Sequence, residues 1–234
     1  MMRLKLKYRN CVLPLVFTMA IACQIVSVAA AQDLTVAERT LFLDKHFSNT
    51  GKQEIEYLFQ QKASDIAAFS DKATVDVHER HPDGTASVTI RFLADEHAVP
   101  IPPIEHAAGN PVILGFLESD IAKMKRLTGG STNYFRKRIR LALAATDVRI
   151  REIFVPYMDG TVPAQEITVF PYTEEPQRNR LGPYAQKAYV FITSVAVPGE
   201  VYCIFTMLNG KMDRAADSSI TIAGGDPKQC KSQN

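Results

Sequence analysis

The apolar residues of this chain repeat every three to four positions in one stretch and alternate in several others. Between Asn110 and Ala145, Ile113, Phe116, Leu117, Ile121, Met124 and Leu127 fall at steps of three and four. That spacing lines them along one side of a helix about 25 Å long at 1.5 Å per residue. Asn110 followed by Pro111 predicts its start, because Asn accepts from an orphan amide and Pro at the first helical position loses no needed donor. Thr128-Gly129-Gly130 predicts its end, since Gly takes the left-handed conformation without steric cost. Ser131 is placed to cap a second helix with Phe135, Ile139, Ala142 and Leu143 on its inner face. Two helices joined by so short a turn are expected to pack antiparallel, as a hairpin over residues 110–145.

Elsewhere the period is two. Ile55, Tyr57 and Phe59 share one side of a strand, as do Ala73, Val75 and Val77, and then Ala86, Val88, Ile90 and Phe92. His81-Pro82-Asp83-Gly84 between the last two runs predicts a hairpin turn: Pro sets φ, Asp bonds its own backbone, and Gly accepts positive φ. The proline-rich segment Val99–Pro103 cannot be helical and is expected to run extended into the Asn110 cap. Residues 148–155 and 164–170 predict a second strand pair around Met158-Asp159-Gly160, and 173–186 an exposed loop. Residues 187–197 and 200–208 flank Pro198-Gly199 and are apolar on both faces, so they are expected at the sheet's centre under a cover. Asn209-Gly210 predicts a further turn and 219–223 a last short strand. Residues 32–51 are ambiguous between helix and strand, with Leu41, Phe42 and Leu43 expected to be buried in either case.

About eight strands joined by short turns, with the helices as the one large cover, predict an α+β domain: a curved antiparallel sheet wrapped around the helical hairpin. No internal repeat or low-complexity segment interrupts it.

The N-terminus changes the picture of where this domain works. Residues 1–10 carry Arg3, Lys5, Lys7 and Arg9 without an acid, and 11–31 are almost wholly apolar and end in Ala29-Ala30-Ala31. This is the pattern of a secretory signal peptide over 1–31, with the mature domain over 32–234 and a periplasmic or secreted setting. A retained membrane anchor and a lipoprotein cleavage at Cys23 are the alternatives; no other stretch is apolar enough to span a bilayer. Removal of 1–31 leaves 203 residues with 23 Lys and Arg against 25 Asp and Glu, a net charge of −2. Cys203 and Cys230 then remain, and in an oxidising compartment they are expected to pair; closing a loop of this size contributes roughly 3 kcal/mol.

Against that mild acidity the hairpin is strongly basic. Lys123, Lys125, Arg126, Arg136, Lys137, Arg138 and Arg140 are expected on its outer face, and no Asp or Glu occurs from Ile121 to Ala145. Such charge asymmetry suits an anionic lipid or an envelope protein partner rather than nucleic acid, although two amphipathic helices also solvate such side chains without any partner. Catalytic signals are thin. His78, His81, His97 and His106 lack metal-ligand spacing, and Gly129-Gly130-Ser131-Thr132 is a helix break and cap rather than a nucleophile elbow. No phosphate-binding loop or dinucleotide-binding turn occurs, and Glu118 and Asp120 fit ordinary helix polarity, so no catalytic residue, metal or cofactor is assigned.

The run NPVILGFLESD at 110–120, with LTGG at 127–130 and YFRKRIR at 134–140, resembles a family of exported proteobacterial proteins of unknown function. The resemblance implies a periplasmic setting and supplies no catalytic residue. The expected architecture is also similar to the half-open barrels with a helical plug of periplasmic lipoprotein and lipid carriers, an analogy of fold alone. Three functions are compatible with these features: a non-enzymatic envelope protein binding an apolar or anionic lipid-like ligand under the basic hairpin, a protein-interaction module of a periplasmic or secretion assembly, and a hydrolase with a dispersed site. The mature protein purified from periplasm should have the mass of residues 32–234 less two protons; intact-mass measurement checks this, and a free-thiol mass would remove the bridge.

Overall fold

A computed structural model of the chain describes residues 33–62, 67–174, 176, 178–208 and 216–229. From Leu34 onward these form one compact unit. The predicted signal segment, the Asn209-Gly210 turn and Cys230 lie outside the described residues.

The fold is α+β. Nine antiparallel strands form one open sheet: β1 (Gln53–Gln61), β2 (Phe69–Arg80), β3 (Ala86–Phe92), β4 (Ile104–Ala107), β5 (Arg149–Tyr157), β6 (Gly160–Val169), β7 (Ala188–Thr193), β8 (Val201–Met207) and β9 (Ser218–Ile222). Their order is β4-β3-β2-β1-β9-β8-β7-β6-β5. The count is nine rather than the expected eight because Ile104–Ala107, part of the expected extended lead-in to Asn110, pairs with β3 as an edge strand. Alternation places Ile55, Tyr57, Phe59, Val75, Val77, Val88 and Phe92 in the core, and the Pro-Asp-Gly turn forms as its chemistry dictates. Gly84 has φ +83° and the Asp83 carboxylate accepts from Thr85 N at 2.9 Å.

The sheet bends strongly at its β5 end. Tyr157 bridges to Gly225 just beyond β9, Met158 N donates to Gly224 O at 2.9 Å, and the Tyr202 hydroxyl of β8 donates to Pro156 O and accepts from Asp226 N. Every residue of β7 and β8 is buried, as two-faced apolar strands require.

Helices α2 (Val112–Thr128) and α3 (Thr132–Leu143) lie between β4 and β5 in the chain, and those strands are the two edges of the sheet. The connection therefore crosses from one edge to the other over one sheet face. There Phe116 packs 6.2 Å from Phe59, and a side chain at Gly115 would run into the Phe92 ring. Phe116, Met124 and Phe135 are wholly buried. Gly129 ends α2 at φ +72°, and the Ser131 hydroxyl accepts from Tyr134 N to start α3.

Helix α1 (Val36–Glu38) opens with a Thr35 capping box and continues as a π turn over Arg39–Leu43. Leu41 is buried, but Phe42 and Leu43 are exposed, contrary to the expectation that all three enter the core: they turn outward once the segment is helical. The expected exposed loop over 173–186 has short helical turns over 178–186 and buries Leu181 and Tyr184.

Asn110 is the junction of these elements. Its Oδ1 accepts from Val112 N at 3.0 Å, so it caps α2 as predicted although the helix starts at Val112. Its Nδ2 donates to Tyr57 Oη at 2.9 Å and to Gly199 O at 2.8 Å, and its own N donates to His46 Nδ1 at 3.0 Å. Gly199, at φ +68°, is required here, since a Cβ would stand 2.5 Å from Asn110 Nδ2. Because Asn110 is buried and fully hydrogen-bonded, Asn110→Ala orphans several partners at once and is expected to cost about 2–4 kcal/mol in urea denaturation.

Candidate functional site

The outer surface of the helices carries an apolar groove. On α2, Leu114, Leu117, Glu118 and Ile121 follow one another at helical spacing, and on α3 Arg136, Ile139, Arg140 and Leu143 do the same. Leu34, Glu38, Phe42 and Leu43 of the α1 segment complete the lining, around a volume of about 430 Å³. The floor is buried, whereas Leu34, Phe42, Leu43 and Leu114 are 40–51 % exposed at its mouth. Four large apolar side chains gathered at one solvent-facing mouth are more than the scattered exposure of an ordinary surface.

The seven predicted cations separate into different roles. Lys125, Arg126 and Lys137 are exposed, and Arg140 reaches the groove with no ion pair among the described residues. Arg136 also lines the groove but is held by Glu118 through two bonds, Nε to Oε1 at 2.8 Å and Nη2 to Oε2 at 2.6 Å. Arg138 Nε donates to Pro171 O at 3.0 Å. Lys123 is not on the outer face at all: it points into the protein and is 4 % exposed.

Lys123 belongs to a buried polar cluster under α2. Its Nζ donates to Asp217 Oδ2 at 2.7 Å and to Ser218 Oγ at 3.1 Å. Lys187, immediately before β7 and fully buried, donates to Asp120 Oδ1 at 2.6 Å, and its Nζ lies 3.5 Å from Asp217 Oδ2. Tyr189 Oη donates to the other Asp120 oxygen at 2.6 Å, and Tyr172 Oη lies 3.1 Å from Tyr189 Oη. Asp120, expected from sequence to face solvent, is thus 3 % exposed. Burial lowers the Lys123 pKa, reinforced by the charge of Lys187 and opposed by Asp217 and Asp120. Burial likewise raises the phenols of Tyr189 and Tyr172, with Asp120 adding to both. Two lysines and two aspartates cancel in formal charge, and the arrangement fastens α2 to β7 and β9.

Sequence reasoning missed Lys187, Asp217, Tyr172 and Tyr189, which come from loops and strands with no shared motif. Part of the signal was available. Asp120 stands four after Phe116 and four before Met124, and Lys123 four before Leu127, so both fall on the stripe that faces the sheet.

The histidines serve local structure. His78 pairs with Thr89 Oγ1, His81 bonds Ser87 and Glu105 O with its ring 4.5 Å from that of His106, and His97 stacks 4.0 Å from Phe69. Among the described residues no group of three or more His, Cys, Asp or Glu is placed to hold a metal ion. No helix among them is long and apolar enough to cross a membrane. Cys203 is fully buried on β8, and its expected partner Cys230 lies outside the described residues. Compared with known proteins, the chain matches no protein-family model and no curated protein.

Removing one member of a buried pair strands its partner. Lys187→Met is therefore expected to cost about 3–5 kcal/mol in urea unfolding, and the double variant Asp120→Asn/Lys187→Met less than that single change.

Proposed function

We propose that this is an exported, non-enzymatic envelope protein that binds an anionic amphiphile in the groove between α1, α2 and α3. The observation that carries this reading is the groove itself, an apolar trough with an exposed mouth and, on its rim, the cation of Arg140, which has no ion pair among the described residues. An alkyl chain would lie against Leu114, Leu117, Ile121, Ile139 and Leu143, and an anionic headgroup would meet Arg140, with Lys125 and Lys137 on the same helices adding to the positive field. The ligand is placed on the outside of the helices rather than between helices and sheet, because Phe116, Met124 and Phe135 fill the inner side.

The leader pattern of residues 1–31 supports a periplasmic or secreted location, and pairing of Cys203 with Cys230 belongs to the same reading. The resemblance to exported proteobacterial proteins and the analogy to lipid carriers accord with it. In finer detail, the reading takes α2 and α3 as a hairpin inserted into a sheet that curves around it. A second reading, a protein-interaction module, is favoured by the closed packing of helices on sheet and would use the same groove for an amphipathic helix of a partner.

A pyrene-labelled alkyl sulfonate tests the first reading. It should bind the mature protein saturably, with Leu114→Asp/Phe42→Asp weakening it about tenfold or more and Arg140→Glu a few-fold, given about 0.5–1 kcal/mol for an exposed charge contact. Fluorescence titration measures the affinity and far-UV circular dichroism checks the fold; unaltered affinity in the double variant would remove the groove from the reading.

A further inference from the structure

One wall of the groove is held in place by a histidine. His46 follows the π turn of α1 and is 1 % exposed. Its Nε2 lies 2.7 Å from Thr40 O, and its Nδ1 lies 3.0 Å from Asn110 N. The carbonyl can only accept and the amide can only donate, so the partners assign a neutral ring with hydrogen on Nε2 and a lone pair on Nδ1. The π turn is what leaves Thr40 O to the ring, since Asp44 N bonds Arg39 O instead. His46 N also donates to Ala108 O at 3.0 Å, and a Cβ on Gly109 would stand 2.9 Å from Leu41 O, so α1 and the lead-in to α2 are in close contact here.

We propose that His46 is a pH-operated clamp on the groove: its neutral ring holds the α1 wall against the start of α2, and its protonation releases that wall and weakens amphiphile binding. The inference rests on the reading of the groove given above. Protonation places a hydrogen on Nδ1 facing the Asn110 N–H, which loses a buried bond and leaves two donors opposed. Leu34, Glu38, Phe42 and Leu43, a third of the groove's lining, belong to the α1 segment that this ring ties down.

The surroundings oppose the charge overall. Burial lowers the His46 pKa from its usual range, against the Thr40 carbonyl and the Asp44 carboxylate, which raise it. Asp44, from the ring's own segment, is the charged group facing it; Glu200, in the turn before β8, is raised by burial and by Asp44. Among the described residues, the groups that other elements bring to the ring through hydrogen bonds are uncharged: the Asn110 backbone amide, and behind Asn110 the Tyr57 phenol and the Gly199 carbonyl. A histidine lowered in the folded state leaves stability intact above its unfolded value of about 6.5 and erodes it as pH falls below that. The clamp therefore loosens with acid and not with base.

The experiment uses the mature protein at pH 7.5 and 5.0 with three readouts. They are the imidazole nitrogen NMR signals of His46, hydrogen exchange over residues 35–47, and affinity for the pyrene-labelled alkyl sulfonate, whose charge is constant over this range. The expected result is a neutral Nε2–H ring at pH 7.5, loss of exchange protection over 35–47 at pH 5.0, and an affinity loss on the order of fivefold. In His46→Gln, whose amide can bond both partners without titrating, the affinity loss should shrink below about twofold. An unchanged ring signal and unchanged protection at pH 5.0 would overturn the clamp whether or not the probe binds. Loss of protection with unchanged affinity would overturn its control of the groove. A probe that binds at neither pH while protection still falls would overturn the groove reading and the control claimed for it. The wild-type NMR and exchange data decide the clamp even where His46→Gln does not fold.

Discussion

The fastening of α2 to the sheet governs the rest of this structure. The chain leaves β4 at one edge and must enter β5 at the opposite edge, so its longest helix has to cross the sheet face. Two polar devices fix that crossing. Asn110 locks the start of α2 to β1, to the β7–β8 turn and to α1, and Asp120 and Lys123 lock its middle to Lys187 and Asp217. Apolar contacts such as Phe116 on Phe59 supply area without direction, whereas these bonds specify one register of helix on sheet. Buried ion pairs are costly to desolvate, and a seating of α2 that separated Lys187 from Asp120 would leave an uncompensated charge in the interior.

This division of labour explains what was legible in the sequence. Local signals read well: period-two runs located β1, β2 and β3, Pro-Asp-Gly its turn, and Asn110, Gly129 and Ser131 the limits of the helices. β4 was missed because a four-residue edge strand beside prolines carries too little alternation. The outward turn of Phe42 and Leu43 was missed because a π turn shifts which residues share a face. Lys187 and Asp217 could not be matched to Asp120 and Lys123 from sequence, since the pairing is created by the fold across 67 and 94 residues. The charged residues inside the apolar stripe of α2 were readable in principle, but a helix dense in lysine and arginine invites assigning every cation to water.

The basic character of the helices is consequently less uniform than its composition implies. Of the groove's two arginines, Arg136 is neutralised by Glu118 and Arg140 has no ion pair among the described residues, while Lys123 points into the interior. What remains at the groove is an apolar trough with a modest positive rim; for the amphiphile proposed above, buried hydrocarbon would supply most of the binding energy and the charge would orient it.

The seam between β1 and β9 has a consequence for how the protein comes into being. It joins residues 57–61 to residues 218–222, so the sheet cannot be completed until two segments far apart in sequence have met. The β1–β4 and β5–β9 meanders can each form from near neighbours, but the helices laid across both are seated only when the last strand arrives. A sheet closed by so distant a pairing folds slowly for its size, because a long loop must close before the contacts across the seam can form. Completion of the fold is thus set by the arrival of one short strand, and not by the assembly of either meander alone.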